Sequence, residues 1–198
     1  MVQNNLIELW LGFSEEINQQ MLSGKTNDHS IRDYFLETIL QKYIKNFSLR
    51  DLEKNEHGKP SVRTGDISFN LSHCDEFYAL LLCDQDFCGI DIQQVKSRME
   101  YEEAFQSIFT DREMAILNQI DLEAEFFRMW SVKEAYIKAM GSSIWFGRDY
   151  DFSTILPYYT DRWISVNNLF LYSTEVFPGV YLSAVLPEKP CPLRIKKF

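Results

Sequence analysis

The hydrophobic period of this chain changes three times, and that order constrains its architecture more than any other feature. Residues 30 to 47, SIRDYFLETILQKYIKNF, place Ile31, Phe35, Ile39 and Tyr43 at four-residue steps with Leu36, Leu40 and Ile44 beside them. This is the spacing of a helix that buries one side. Past the turn residues His57-Gly58-Lys59-Pro60 come three short segments rich in β-formers: ISFNLSH (67 to 73), FYALLLC (77 to 83) and FCGIDIQ (87 to 93). Their short polar connections predict a meander. Helical patterns return at 100 to 119 and 122 to 141, and strand patterns at 162 to 173 and 176 to 186. Helix, sheet, helix, sheet predicts an α+β fold of two similar lobes packed together, residues 1 to 97 and 98 to 198. The lobes share no residue-level identity, so the repeat is one of architecture.

With 198 residues, 45% of them hydrophobic, the chain can close a substantial core. Its formal charge is −9 and neither half is net basic, which argues against a nucleic-acid partner, because phosphate-backbone affinity needs clustered Lys and Arg. The one basic cluster is the terminal RIKKF, which reads as a solubilising tail. No apolar run is long enough to span a bilayer and the first 25 residues hold no basic start followed by an apolar block, so a cytoplasmic protein without a membrane partner is expected. Cysteines 74, 83, 88 and 191 show no C-x-x-C pair or metal-ligand spacing and read as reduced thiols.

The stretch FFRMWSVKEAYIKAMG, residues 126 to 141, has the apolar content of a core helix yet carries Lys133, Glu134 and Lys138. Trp130, Glu134 and Lys138 share a helix face at i, i+4 and i+8. An ordinary surface ion pair is the simpler account of the spacing; a cleft that uses the charges is the other. Asp91 stands between Ile90 and Ile92 in a strand, so alternation puts it on the opposite face from both, with Gly89 and Gln93. A buried unpaired carboxylate is costly, and a hydrated Mg²⁺ held by one or two carboxylates and substrate phosphates would remove that cost. A strand-end aspartate facing solvent is the alternative. Gly58-Lys59-Pro60 is a plain turn or a lysine reaching a phosphate. Ser72 and His73, at a strand end, are surface residues or hydrogen-bond donors to phosphate.

Taken in order, the GKP turn, FNLSH, GIDIQ and FFRMWSVKEAYIKAMG resemble the 4′-phosphopantetheinyl transferases of the monomeric, surfactin-synthetase-activating type, over roughly residues 25 to 155. The resemblance implies two similar α+β lobes with coenzyme A and Mg²⁺ bound between them. It also implies transfer of the phosphopantetheine arm to a serine of an apo acyl or peptidyl carrier protein, releasing adenosine 3′,5′-bisphosphate. It makes Asp91, Glu134 and the residue at 93 the metal ligands, Lys138 a partner of the coenzyme's phosphates, and Glu113 a further acid near the metal. Glu134 or Glu113 would accept the serine proton. Lys59, Pro60, Ser72, His73 and Lys25 would line the coenzyme site, with His29 a second candidate for the 3′-phosphate and Ser30 standing where an arginine is frequent. Gln93 departs from the pattern, many bacterial relatives having a glutamate there. The departure leaves room for a second reading, a non-catalytic module that binds coenzyme A or a carrier. Arg128, Lys133 and Arg148 are candidates for a carrier-docking patch, and a pseudo-twofold within one chain implies a monomer.

Overall fold

A computed structural model describes residues 6–24, 30–63, 67–120, 122–155, 161–188, 190 and 193–198. In chain order the elements are β1 (Ile7–Phe13), α1 (Ser14–Ser23), α2 (Ile31–Leu40), β2 (Leu52–Lys54), β3 (Pro60–Val62), β4 (Ser68–Cys74), β5 (Phe77–Cys83), β6 (Gly89–Gln94), α3 (Glu102–Ile108), α4 (Asp111–Ile120), α5 (Glu123–Ala139), β7 (Ile164–Val166), β8 (Leu169–Phe177), β9 (Val180–Leu186) and β10 (Arg194–Lys197). They form two four-stranded sheets, ordered β10-β1-β5-β4 and β6-β9-β8-β7, and the small β2-β3 ribbon. This is the α+β class expected from the periodicities.

The strands alternate, and each face of each large sheet has its own cover. Ile7, Leu9 and Leu11 of β1 and Ala79 and Leu81 of β5 meet Ile90 and Ile92 of β6 and Leu182 and Ala184 of β9 in one buried cluster. The two sheets therefore share a core. On the far face of the first sheet, Trp10, Leu80 and Leu82 pack against Phe35, Leu36, Ile39 and Leu40 of α2. On the far face of the second, Leu171 and Val185 pack with Phe126, Met129 and Val132 of α5 and with Phe105 and Phe109. At about 1.5–3 kcal/mol for each such side chain buried, these clusters supply the main driving force for folding.

The predicted meander is a hairpin followed by a crossover. β4 and β5 pair antiparallel, but the third segment leaves and pairs with β9 as the edge of the other sheet. Connection length could not distinguish these outcomes. Ile90 and Ile92 require the shared core on one side, while Gly89 and Asp91 require α5 on the other, and only the second sheet offers both. A methyl group at Gly89 would sit 2.0 Å from the Ala135 carbonyl oxygen and 2.5 Å from the Ala139 nitrogen, so the glycine is what lets α5 lie directly on β6. β10 crosses in the opposite sense, from the C-terminal end to β1, which it joins in parallel.

Three further expectations change in detail. The helix expected over 30–47 ends at Leu40. Beyond it the backbone tightens into turns, with Tyr43 N bonded to Leu40 O, and Asn46 has a positive φ of 60°. The strand expected over 162–173 is broken by Asn167 and Asn168, whose φ values of 51° and 64° make the β7–β8 turn, as residues tolerant of left-handed backbone do. The RIKKF tail is a strand, and its Lys196 pairs with buried Glu8 at 2.7 Å.

Candidate active site

The two sheets meet edge to edge along β4 and β6, joined by side chains in place of a backbone ladder. Ser68 Oγ donates to Asp86 O at 2.9 Å, Asn70 Oδ1 accepts from Ile90 N at 2.8 Å, Ser72 Oγ donates to Asp91 Oδ1 at 2.7 Å, and Cys74 Sγ accepts from Gln94 N at 3.3 Å. Alternation along β4 aims Asn70, Ser72 and Cys74 at β6. They satisfy polar groups that an unpaired sheet edge would leave exposed.

Asp91 is the centre of this seam. Its side chain is 2% exposed, and Lys138, in the last turn of α5, brings Nζ to 2.6 Å from Oδ1. The same ammonium lies 3.1 Å from Ser72 Oγ. Gln93 Nε2 donates to Asp91 Oδ2 at 2.8 Å. Glu134, one helical turn before Lys138, accepts from Trp130 Nε1 at 3.4 Å. Burial first, and then the negative charge of Asp91, hold the Glu134 carboxyl above the usual carboxylate range; Lys138 and the Trp130 hydrogen bond oppose them. The sequence-predicted residues Ser72, Asp91, Gln93, Glu134 and Lys138 thus come together from β4, β6 and α5.

Glu113 and Lys133 form a separate group. Lys133 Nζ contacts Glu113 Oε2 at 2.6 Å with neither side chain exposed, and donates to Tyr150 O at 2.8 Å. Glu113 also accepts from Thr110 N and Phe152 N, each at 2.8 Å. Burial lowers the Lys133 pKa, and the Glu113 charge opposes that shift. The pair fastens α4 and the segment after α5 to the helix. Lys133 therefore cannot belong to a docking patch. Arg128 pairs with Glu125 at 3.4 Å, its side chain mostly covered, and its guanidinium lies 5.1 Å from the Tyr181 ring centroid. Arg148 alone of the three is well exposed, bonded to Asp111 at 2.5 Å and Gln106 O at 2.6 Å.

Lys59 has a position that spacing could not suggest. The turn carrying it is built by Asn55, whose Oδ1 accepts from His57 N and Lys59 N at 3.0 and 2.8 Å and whose Nδ2 donates to Gly141 O at 3.1 Å. Lys59 Nζ donates to Cys88 O at 2.8 Å and Lys138 O at 2.6 Å. It thereby ties the ribbon to the start of β6 and to the last turn of α5, where a cation suits the helix dipole and the free carbonyls. Burial lowers its pKa. Lys59 and Pro60 border two cavities, one of about 330 Å³ reaching Asp86 and Phe87 and one of about 190 Å³ reaching Asn70, Lys138 and Ser142.

His73 is exposed and stacks on Tyr78 with centroids 5.4 Å apart. Partial burial, with Arg32 and Lys138 nearby, lowers its pKa, and Asp91 opposes that. Arg32 is a cation near His73 that was not among the sequence candidates; its place in the first turn of α2, two residues after Ser30, was the available signal. Ser30 caps α2, accepting from Asp33 N at 3.1 Å. Lys25 and His29 lie outside the described residues.

Among the described residues, no group of three or more His, Cys, Asp or Glu is arranged to hold a metal ion. The donor chemistry nonetheless fits Mg²⁺, which typically takes one or two carboxylates and completes its shell with water and substrate phosphates. Asp91 and Glu134 are two such carboxylates, close enough for one to raise the pKa of the other, and a divalent ion relieves that repulsion. No helix of the described residues is long and apolar enough to cross a membrane.

Residues 87–168, from β6 through β7, match the family model of the 4′-phosphopantetheinyl transferase superfamily, and the chain belongs to that superfamily. It is similar to the 4′-phosphopantetheinyl transferase AcpT of Salmonella typhi, 35% identical over 101 residues that cover 49% of this chain and 53% of the relative. It is also similar to the 4′-phosphopantetheinyl transferase gsp of Aneurinibacillus migulanus, 32% identical over 143 residues covering 67% and 57%. A third relative is psf-1 of Bacillus pumilus, 36% identical over 98 residues covering 48% and 41%. The chain spans about half the length of the curated relatives it matches.

Proposed function

We propose that this protein transfers the 4′-phosphopantetheine arm of coenzyme A to a serine of an apo acyl or peptidyl carrier protein. The reaction is Mg²⁺-dependent and releases adenosine 3′,5′-bisphosphate. The observation that carries the reading is the convergence of Asp91, Glu134 and Lys138 on the seam between the sheets, within the segment that matches the superfamily.

In the reaction the carrier serine Oγ forms a bond to the β-phosphorus of coenzyme A while the bond from that phosphorus to the bridging oxygen breaks, its electron pair leaving with adenosine 3′,5′-bisphosphate. Asp91 and Glu134 would hold Mg²⁺, which supplies positive charge to the diphosphate oxygens as negative charge builds there. Lys138 adds an ammonium from a fixed helix position, and Ser72 and neutral His73 offer donors beside it. Glu134 is the better acceptor for the serine proton, because the oxygens of Glu113 are taken by Lys133 and two backbone N–H groups. Pro60, beside the 190 Å³ cavity, and Lys59, through the carbonyl of Lys138, shape the wall on which the coenzyme would lie.

Purified protein incubated with coenzyme A, Mg²⁺ and several apo carriers, analysed by intact mass, tests the proposal. The expected result is addition of the phosphopantetheine mass to at least one carrier. The second reading, a binding module without catalysis, takes its support from Gln93, which meets Asp91 as a neutral amide. Calorimetric binding of coenzyme A with no modified carrier would favour it.

A further inference from the structure

Both oxygens of Asp91 are already engaged by donors of this chain. Ser72 Oγ and Lys138 Nζ share Oδ1, at 2.7 and 2.6 Å, and Gln93 Nε2 takes Oδ2 at 2.8 Å. A cation that coordinates this carboxylate must therefore displace a donor or share an oxygen with one. Of the three donors only Lys138 is charged, and an ammonium and a dication on one carboxylate oxygen repel each other at close range. Asp91 is 2% exposed and has no room to turn away, whereas the Lys138 side chain is 29% exposed and has a solvent-side path. That path opens on the 190 Å³ cavity, which Lys138 lines together with Asn70, Leu71 and Ser142.

We propose that Lys138 is a built-in competitor for the divalent cation: its ammonium holds the Asp91 oxygen that the cation needs, and cation binding releases it into the cavity, where it meets the coenzyme's diphosphate. The inference rests on the metal-dependent reading above and adds an order to it. The ammonium keeps a buried carboxylate paired until a stronger cation arrives. Its release then couples cation binding to anion binding, so each favours the other. The carboxamide of Gln93 contributes no charge to this exchange, and the competition lies between Lys138 and the metal for a site with two carboxylates.

Calorimetric titration of the full chain with MnCl₂, without coenzyme, reads the competition directly. Lys138→Met should bind Mn²⁺ about fivefold or more tightly than the unaltered protein, the lower end of typical linkage between sites. Lys138→Arg, which keeps a competing charge, should stay close to the unaltered protein. Equal or weaker Mn²⁺ binding by Lys138→Met overturns the exchange while leaving the metal-dependent reading intact. Failure of Mn²⁺ to bind either protein without coenzyme overturns the exchange, and failure with coenzyme A present as well overturns the metal-dependent reading. Should Lys138→Met not fold, NMR of the lysine ammonium groups in the unaltered protein decides: Mg²⁺ at saturation should shift the Lys138 resonance, and an unmoved signal refutes the release.

Discussion

Lys133 and Glu113 form an ion pair 2.6 Å long in which neither side chain reaches solvent. Breaking one partner of such a pair strands a buried charge, which costs about 3–5 kcal/mol. Lys133→Met should therefore unfold at markedly lower urea concentration. Glu113→Ala should cost at least as much, because Thr110 N and the buried Phe152 N lose their acceptor as well. Equilibrium unfolding followed by circular dichroism checks both, and single-variant losses under about 1 kcal/mol would show that the pair is solvated in solution.

Gly89→Ala tests the seating of α5 on β6. The new methyl would lie 2.0 Å from the Ala135 carbonyl oxygen, and a rigid backbone cannot yield as a side-chain tip can. Expected is a stability loss at or above about 3 kcal/mol, the upper end of overpacking. Transfer should fall with it, because the displaced helix carries Glu134 and Lys138.

Glu134→Ala is expected to leave the fold intact and lower transfer by about a hundredfold or more, the minimum for loss of a positioned proton acceptor. Its circular dichroism spectrum and melting temperature should stay near those of the unaltered protein. Undiminished carrier modification would remove Glu134 from the site.

Gln93→Glu replaces a donor to Asp91 Oδ2, at 2.8 Å, with a third carboxylate. Without divalent cation the variant should melt below the unaltered protein through like-charge repulsion. With Mg²⁺ its melting temperature should rise by more than that of the unaltered protein. Equal Mg²⁺-induced shifts would mean that position 93 does not touch the ion.

The strand β10 should be attached in a pH-dependent way. Burial pushes the Glu8 carboxyl up, but hydrogen bonds from Lys196 and Tyr43 outweigh it and leave the folded value below the ordinary 4.5. The unfolded chain then binds the proton more readily, so stability from this group is complete above pH 4.5 and lost as pH falls through the folded value. The gap in unfolding free energy between the unaltered protein and Glu8→Gln should accordingly shrink below pH 4.5. A gap that stays constant across that range would show that Glu8 does not hold β10 through its charge.

Local chemistry was enough to read much of this molecule. The four-residue steps from Ile31 to Ile39 and the alternation of Ile90, Asp91 and Ile92 announce a helix and a strand, because each depends on which side of one segment is apolar. Asp91, Glu134 and Lys138 stood out for the same reason: charges set into apolar patterns need a partner. Pairing across the chain was beyond that reach. That β6 leaves its neighbour β5 for β9, and that β10 returns to β1, follows from which faces must be covered on both sides, a property of the assembled layers. Lys133 and Lys59 make the same point for single side chains. Each had the spacing of a residue available to a partner or a phosphate, yet one lies wholly buried on Glu113 and the other ties the end of α5 to the start of β6 through the carbonyl oxygens of Lys138 and Cys88. Hydrophobic period is written in neighbouring residues, whereas the destination of a long charged side chain depends on acceptors that only folding brings within its reach.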